Sequence, residues 1–221
     1  NFATFVSVDG YGVQAEYMRN GLDFPVLKKN VKRILNETDN STITFINTFN
    51  VLSLTSLRDY LQWILELRDQ YAKDVQGTKY IPIPDNGGHK HDDYEVRPKQ
   101  RIWFDIPLLR APLWQCIQIM PEYYQSYLEE AIAFMELNRA DEVNIDYRGF
   151  KDFEIDKVRR NLAWMKEGRK MSQEDLLKAK ANFYKFFTQH DARRGTDFLA
   201  TYPEMEDWWN MCEQANALTG E

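Results

Sequence analysis

Two short polar motifs follow apolar runs in the first 50 residues, and both could contact a ligand. The motif SVDG (residues 7–10) and the motif NTFN (residues 47–50) each come directly after an apolar, β-branched run. Because side chains alternate along an extended chain, Ser7 and Asp9 are expected on one face. A hydroxyl, a carboxylate and two amides suit a polar ligand. The same residues are ordinary at a strand end that turns, so both interpretations stay open at this point.

Three other groups of residues suggest chemistry less specifically. The segment HKHDD (89–93) has metal-ligand types in a polar stretch, with no second group of ligands after it. His190 and Asp191 precede two arginines at a predicted helix end, which suits either an anion or a solvated helix terminus. Cys116 and Cys212 fall in apolar segments and are expected to be buried structural thiols, Cys116 within a predicted strand.

The motifs need a sheet to bring them together, and the pattern of apolar residues predicts one. Residues 2–8 and 42–49 are typical of buried strands. Asp23 marks the start of a helix between them, and Ser56 with Asp59 can cap a second helix. This alternation of strand, helix, strand and helix predicts an α/β fold with a parallel sheet covered by helices.

The rest of the chain changes character twice. Residues 73–100 are rich in proline, glycine and charge, and are interpreted as a loop insertion. Residues 101–106 and 113–119 predict two further strands. Beyond a polar break at 139–151 the pattern is helical, with expected helices at 153–166, 176–190 and 204–218.

Composition excludes several classes of protein. The 221 residues are 43% hydrophobic and 28% charged, which is typical of globular domains and excludes a wholly disordered chain. A net charge of -6 gives no electrostatic case for general nucleic-acid binding. No apolar run approaches the ~20 residues of a membrane span, so no membrane partner is expected. Two cysteines alone cannot hold an iron–sulfur cluster, and a reducing, cytoplasmic location is the natural expectation.

Several motifs taken together resemble one family. SVDG (7–10), followed by EYMR (16–19) and an amphipathic helix, resembles the middle of radical S-adenosylmethionine (SAM) enzymes of the SPASM/twitch branch. Two later stretches are similar to the last barrel strand and to the C-terminal signature of the same group: LLRAPLW (108–114) with IMP (119–121), and DARRGTDFL (191–199) with YPE (202–204). The matches stand in the family's order and are spread over most of the chain.

The resemblance implies a fold and a division of the chain. Residues 1–138 would form the C-terminal half of a (β/α) barrel, with 73–100 as an insertion, and 139–221 would form a helical C-terminal extension. We therefore expect a partial (β/α) barrel with parallel strands. The family's cluster motif, C-x3-C-x2-C, follows the first barrel strand, so we expect it ahead of Asn1 in the parent chain.

The resemblance also implies roles for particular residues. Ser7 would hydrogen-bond the methionyl part of SAM, and Arg19 would pair with the SAM carboxylate, to which a guanidinium presents two donors. Asp9 would lie at the barrel mouth, near SAM or substrate. Asn47 and Asn50 stand at the end of the fifth barrel strand, where the family often contacts SAM.

The activity implied for the parent chain is radical chemistry. In such enzymes a reduced 4Fe–4S cluster donates an electron to SAM, and the resulting 5′-deoxyadenosyl radical abstracts a hydrogen from the substrate. The substrate is not identified and would be a small molecule or a peptide, and an electron donor would be a partner. Because this chain has no C-x3-C-x2-C motif, we expect no turnover from it alone.

Two alternatives belong to other classes. The chain would serve as a non-catalytic α/β interaction module, or a degenerate barrel, if it bound partners through residues 73–100 and its aromatic tail. It would be a sugar- or phosphate-handling enzyme if Asp9 acted as a base, although no glycine-rich phosphate loop is present. The sequence ahead of Asn1 discriminates between the enzyme and the interaction module.

Overall fold

Three parallel strands form the sheet of this mixed α/β protein, which is mostly helical. The computed structural model describes residues 2–38, 41–71, 81–82, 94–95, 100–140 and 148–220. The strands are β1 (Phe2–Ser7), β2 (Ser41–Ile46), β3 (Ile81–Pro82), β4 (Tyr94–Glu95) and β5 (Ile102–Asp105). The main sheet has the order β1-β2-β5, and β3 pairs antiparallel with β4. The predicted parallel sheet is confirmed, and over the described ranges its strands do not close into a barrel.

Eight helices account for most of the structure described. They are α1 (Gly12–Met18), α2 (Phe24–Glu37), α3 (Leu57–Tyr71), α4 (Gln125–Leu137), α5 (Asp152–Glu167), α6 (Gln173–Arg194), α7 (Phe198–Thr201) and α8 (Glu206–Thr219). Short 3-10 turns join several of them. None of the helices in the described part of the chain is long and apolar enough to cross a membrane. Apart from β3, β4 and its last residue, the predicted 73–100 insertion lies outside the described residues.

The two faces of the sheet differ in burial. On β2, Ile43 and Phe45 are fully buried, whereas Thr44 between them is only half-buried. Helix α3 packs on the buried face, where the ring of Trp63 lies 4.7 Å from that of Phe45. Alternation with period two therefore gives the sheet a helix-covered face, and an opposite face that carries Thr44 and Trp103.

Strand β1 is not the buried strand that its composition predicted. Its burial pattern is largely exposed, and Phe2 and Phe5 are 73% and 67% exposed. Within the described residues β1 pairs only with β2, so it forms an edge of the sheet. An apolar run does not by itself distinguish a central strand from an edge strand, and for that reason the sequence could not reveal this difference.

The strand predicted at 113–119 is also wrong. The segment forms two 3-10 turns, Leu113–Gln115 and Ile117–Ile119, with buried Cys116 between them. The last pairing with the sheet is the bond from Leu109 N to Phe49 O, at 3.1 Å, after which the chain leaves the sheet. Cys116, Ile117 and Ile119 are buried and the second turn packs on helix α5, whereas Leu113 is 38% exposed and Trp114 packs on Phe186 of α6.

Helix ends agree better with the sequence. Asp23 and Ser172 accept a backbone N–H from the first turn of α2 and α6, at 2.8 and 3.1 Å. Gly195 ends α6 with φ 64°, a left-handed conformation that glycine adopts without strain. Ser56 is different: its hydroxyl accepts the N–H of Tyr11, 3.1 Å away, and so ties the start of α1 to the loop before α3.

Residues 148–220 are helical, as expected for the C-terminal part, and share the hydrophobic core of the sheet. The ring centroid of Phe183 on α6 lies 5.5 Å from that of Trp208 on α8. Phe198 joins the same cluster, stacked on Trp209 at 4.6 Å. Buried aromatic rings of this size contribute strongly to packing, and they fix the position of the C-terminal helices.

A buried ion pair links helices α3 and α5. Arg68 and Glu154 are 2% and 0% exposed, and two terminal nitrogens of Arg68 donate to the two carboxylate oxygens at 2.6 and 3.1 Å. Arg68 also donates to the carbonyls of Ile102 and Gly149. Removing one partner of such a pair leaves an uncompensated charge in the core.

We predict that Arg68→Met lowers the free energy of unfolding by about 3–5 kcal/mol, because Glu154 is left buried without its cation. Urea denaturation followed by circular dichroism measures this. The matched control is Arg159→Met, at a side chain that is 49% exposed and pairs with Asp156. The control is expected to cost less than about 1 kcal/mol. Equal losses in the two variants would contradict the role given to burial.

Candidate functional site

The carboxyl ends of the three parallel strands meet at one edge of the sheet. Backbone hydrogen bonds continue the ladders past the strands, from Val8 N to Ile46 O and from Asn47 N to Asp105 O, both at 2.9 Å. This register brings the residues after each strand side by side. Ligands of parallel α/β sheets bind at this edge, so we take it as the candidate site.

Asp9 is the residue that joins the strand ends. Its carboxylate accepts the backbone N–H of Thr48 through Oδ1 at 2.8 Å, and pairs through Oδ2 with a terminal nitrogen of Arg19, also at 2.8 Å. Asp9 is 9% exposed. One carboxylate thus fixes the loop after β1, the loop after β2 and the residue that ends α1.

Arg19 keeps hydrogen-bonding capacity after this pairing. Its backbone N–H closes helix α1 by donating to the carbonyl of Ala15. The side chain is 38% exposed, and its buried Nε has no hydrogen-bond partner within the described ranges. A guanidinium held by one carboxylate, with a donor unused, can receive a second carboxylate or another anion.

Ser7 and Asp9 lie in different environments, although alternation predicted one face for both. Ser7 is the last residue of β1, opposite Ile46, and its side chain is exposed. Val8 still bonds to β2, and Asp9 then turns toward Thr48 and is buried. Because the chain turns toward the Thr48 N–H, the alternation of side chains along β1 does not continue to Asp9.

The two asparagines after β2 have different surroundings. Asn50 caps the 3-10 turn at Val51–Ser53: its Oδ1 accepts the N–H of Leu52 and its Nδ2 donates to the Thr48 carbonyl, both at 2.9 Å. Asn47 is completely buried, and neither its Oδ1 nor its Nδ2 has a partner among the residues described. Buried amides without partners are rare, so Asn47 is the asparagine with unused hydrogen-bonding groups.

Sequence reasoning missed three residues at this edge. Tyr60 of α3 is fully buried, and its hydroxyl has no hydrogen-bond partner in the described structure. Burial, and then the charges of Asp9 and Asp105, raise the pKa of Tyr60. Lys157 of α5 pairs with Asp105 at 2.8 Å. Asp105 could have been found from the sequence, because it ends a predicted strand, which is β5 in the structure. Tyr60 and Lys157 lie on helices, and nothing in their sequence context marks them.

The other polar candidates are the 89–93 segment and Asp191. The 89–93 segment lies outside the described residues. Asp191 is occupied within the protein, because Oδ1 accepts the Thr196 hydroxyl and Oδ2 the N–H of Phe198, both at 2.7 Å. In the ranges that the structure describes, no group of three or more histidine, cysteine or acidic side chains is placed to hold a metal ion.

The residues present fit SAM better than they fit an iron–sulfur cluster. SAM carries a carboxylate, which suits the guanidinium of Arg19, whose side chain is 38% exposed at the edge. A cluster is held by several cysteine thiolates, and this chain has two cysteines. Cys116 and Cys212 are both buried, and burial raises the pKa of each thiol. The residues of this chain therefore do not fit an iron–sulfur cluster.

Comparison with known proteins identifies no relative of this chain. No protein-family model, curated protein or solved structure matches this chain. The function is accordingly argued from the edge of the sheet and from the sequence motifs that lie on it.

Two substitutions at Asp9 separate its two bonds. We predict that Asp9→Ala costs about 1–3 kcal/mol of unfolding free energy, because the Thr48 N–H loses its acceptor. Asp9→Asn keeps an acceptor oxygen and loses only the partly exposed ion pair, so it is expected to cost less than about 1 kcal/mol. Urea denaturation of both variants is the measurement. Equal costs would mean that the ion pair, and not the backbone bond, dominates.

We also predict that both cysteines are unreactive in the folded protein. At about pH 8, just below the ordinary thiol pKa, a raised pKa leaves little thiolate, and burial blocks the reagent. Titration with a chromogenic disulfide reagent, with and without denaturant, measures this. Both thiols are expected to react only after unfolding, and rapid reaction of the native protein would contradict the burial of at least one.

Proposed function

We propose that this chain is part of a radical SAM enzyme and binds SAM at the carboxyl edge of its parallel sheet. The observation that carries the proposal is Arg19, held by Asp9 with its side chain 38% exposed at the edge. The resemblance of the motifs at 7–10 and 16–19 to the SPASM/twitch branch supports the same assignment. When bound and reduced, SAM supplies a 5′-deoxyadenosyl radical that abstracts a hydrogen from the substrate.

Each residue at the edge has a distinct task in this proposal. Arg19 receives the carboxylate of SAM, and Asp9 holds the guanidinium in place. Ser7 offers an exposed hydroxyl at the end of β1 to the methionyl part. The resemblance also assigns Asn47 to the cofactor, and because Asn47 is completely buried this contact requires its amide to become accessible when the cofactor binds. Asn50, bonded within its own turn, shapes the loop that carries these contacts.

The sheet is the second half of a partial (β/α) barrel in this account. Among the described residues β1 pairs on one side only, and the backbone groups of its open edge suit the addition of further strands. The sheet face that carries Phe5, Thr44 and Trp103 would then face the inside of the barrel. A mixed apolar and hydroxyl surface suits a small-molecule or peptide substrate, and a covered interior would exclude water from radical chemistry.

The 4Fe–4S cluster belongs to another part of the same polypeptide. We propose that a C-x3-C-x2-C motif precedes β1 in the reading frame, and that an electron donor protein reduces the cluster it holds. The free thiols of Cys116 and Cys212 suit a reducing, cytoplasmic compartment. Reading the coding sequence upstream of Asn1 tests this part of the proposal.

Binding of SAM by the full-length protein tests the central assignment. We predict that Arg19→Ala weakens the affinity about 10- to 100-fold, since a charged hydrogen bond contributes about 1.5–3 kcal/mol. Calorimetry with anaerobically purified protein is the measurement. The matched control is Arg33→Ala on the exposed surface of α2, which is expected to leave the affinity unchanged.

Two results would contradict the assignment. Equal affinities of the wild type and Arg19→Ala would remove the role given to Arg19. A wild type that binds no SAM, from a reading frame without the cysteine motif, would overturn the proposed function itself.

A non-catalytic interaction module is the second candidate, and the exposed Phe2 and Phe5 on β1 favour it. Exposed apolar side chains on a sheet edge are suited to pairing with another protein. The absence of SAM binding in the experiment above would support this candidate. A base role for Asp9 is disfavoured, because both of its oxygens already accept hydrogen bonds from Thr48 and Arg19.

A further inference from the structure

Helix α1 needs support from outside itself, because it is only 7 residues long and its N-cap residue Tyr11 makes no side-chain cap bond. Isolated helices of this length are unstable in water. Arg19 follows the last residue of α1 directly, and its side chain must keep its place beside Asp9. The contacts that hold α1 therefore decide where the guanidinium lies.

The support comes from the far end of the chain. The hydroxyl of Tyr202 donates to the backbone carbonyl of Gln14 at 3.2 Å. The side-chain nitrogen of Gln14 donates to Glu204 at 2.8 Å. These residues are 188 and 190 positions apart in the sequence. Tyr202 is completely buried, so its bond to α1 is shielded from water.

Aromatic packing holds the second half of α1. The ring of Tyr17, two positions before Arg19, is 4% exposed. Its centroid lies 4.5 Å from that of His190, 5.5 Å from that of Tyr202 and 6.2 Å from that of Phe198. Burial, and then Asp191, raise the pKa of Tyr17, so this phenol stays neutral in its pocket.

The C-terminal residues that make these contacts are themselves fixed. Asp191 bonds the hydroxyl of Thr196 and the N–H of Phe198, which closes the turn between α6 and α7. On its other side, α1 is tied to the loop after β2, because Thr55 donates to the Gln14 side chain at 3.0 Å. Gln14 thus bridges that loop and the C-terminal residues.

We infer that Asp191, Phe198, Tyr202 and Glu204, here called the tail clamp, position Arg19 for the carboxylate of SAM. The inference rests on the proposed function and adds to it a task for the C-terminal part. The tail clamp contacts α1, and its proposed task is performed through that helix. Tyr202 and Gln14 are therefore positioning residues, which act through the helix that Arg19 ends.

The test removes one hydroxyl and compares two ligands. In the full-length protein, Tyr202→Phe is expected to weaken SAM binding about threefold to tenfold, as the loss of one buried hydrogen bond does. Binding of 5′-methylthioadenosine, which lacks the carboxylate, is expected to be unchanged. In an Arg19→Ala background, Tyr202→Phe is expected to have no further effect on SAM. Calorimetry measures all of these affinities.

The matched control is Tyr184→Phe, which removes a hydroxyl bonded to Glu213 between α6 and α8. It is expected to leave both ligands unaffected. Amide hydrogen exchange gives a readout without any ligand: Tyr202→Phe is expected to raise exchange across residues 12–19, and Tyr184→Phe is not.

Three results would overturn the inference. If Tyr202→Phe weakened the binding of SAM and of 5′-methylthioadenosine equally, its effect would be on general stability and not on the position of Arg19. It would have no positioning role if affinity and exchange both stayed at wild-type values. A wild type that binds no SAM would overturn the proposed function and with it the task given to the tail clamp, and that failure is recognisable because it precedes any substitution.

Discussion

The carboxylate of Asp9 is the constraint on which the site depends. Parallel pairing of β1, β2 and β5 brings three strand ends to one edge, and only a few backbone hydrogen bonds continue into the loops that follow. Asp9 supplies the connection, with one oxygen on the N–H of Thr48 and the other on the guanidinium of Arg19. A carboxylate can do this because it accepts through both oxygens at once. The edge is thereby a fixed arrangement of donors and not a set of independent loop ends.

Polar side chains in the core contribute to stability, whereas those at the sheet edge are suited to binding. Ion pairing inside the core, as between Arg68 and Glu154, joins helices, and its burial keeps the charged groups away from any ligand. At the sheet edge the balance is reversed, because Arg19 and Asn47 keep buried polar atoms that no described residue satisfies. Unsatisfied groups cost stability, and a ligand that bonds them would recover it. Such atoms also occur away from the edge, as in Trp164 and Trp208, so the proposed function depends on the exposed guanidinium of Arg19 at the edge where parallel sheets bind ligands.

Local signals in the sequence predicted local structure well. Asp23 and Gly195 mark real helix ends, since capping and left-handed turns depend on a few neighbouring residues. The run at 113–119 was misassigned because apolar residues fit a buried turn as well as a strand. The contact between Tyr202 and Gln14 was beyond prediction, because it joins residues 188 positions apart and exists only once the helices have packed. Of the candidate site, the strand-end residues were foreseeable, and the helical residues that hold them were not.

The central claim is that the strand-end edge receives the amino-acid part of SAM. A crystal structure of the full-length protein with S-adenosylhomocysteine, which is unreactive, tests it most directly. The account predicts the ligand carboxylate within hydrogen-bonding distance of Arg19, with Asp9 still bonded to the Thr48 N–H. A ligand bound at the opposite edge of the sheet, or on a surface remote from Arg19, would contradict it.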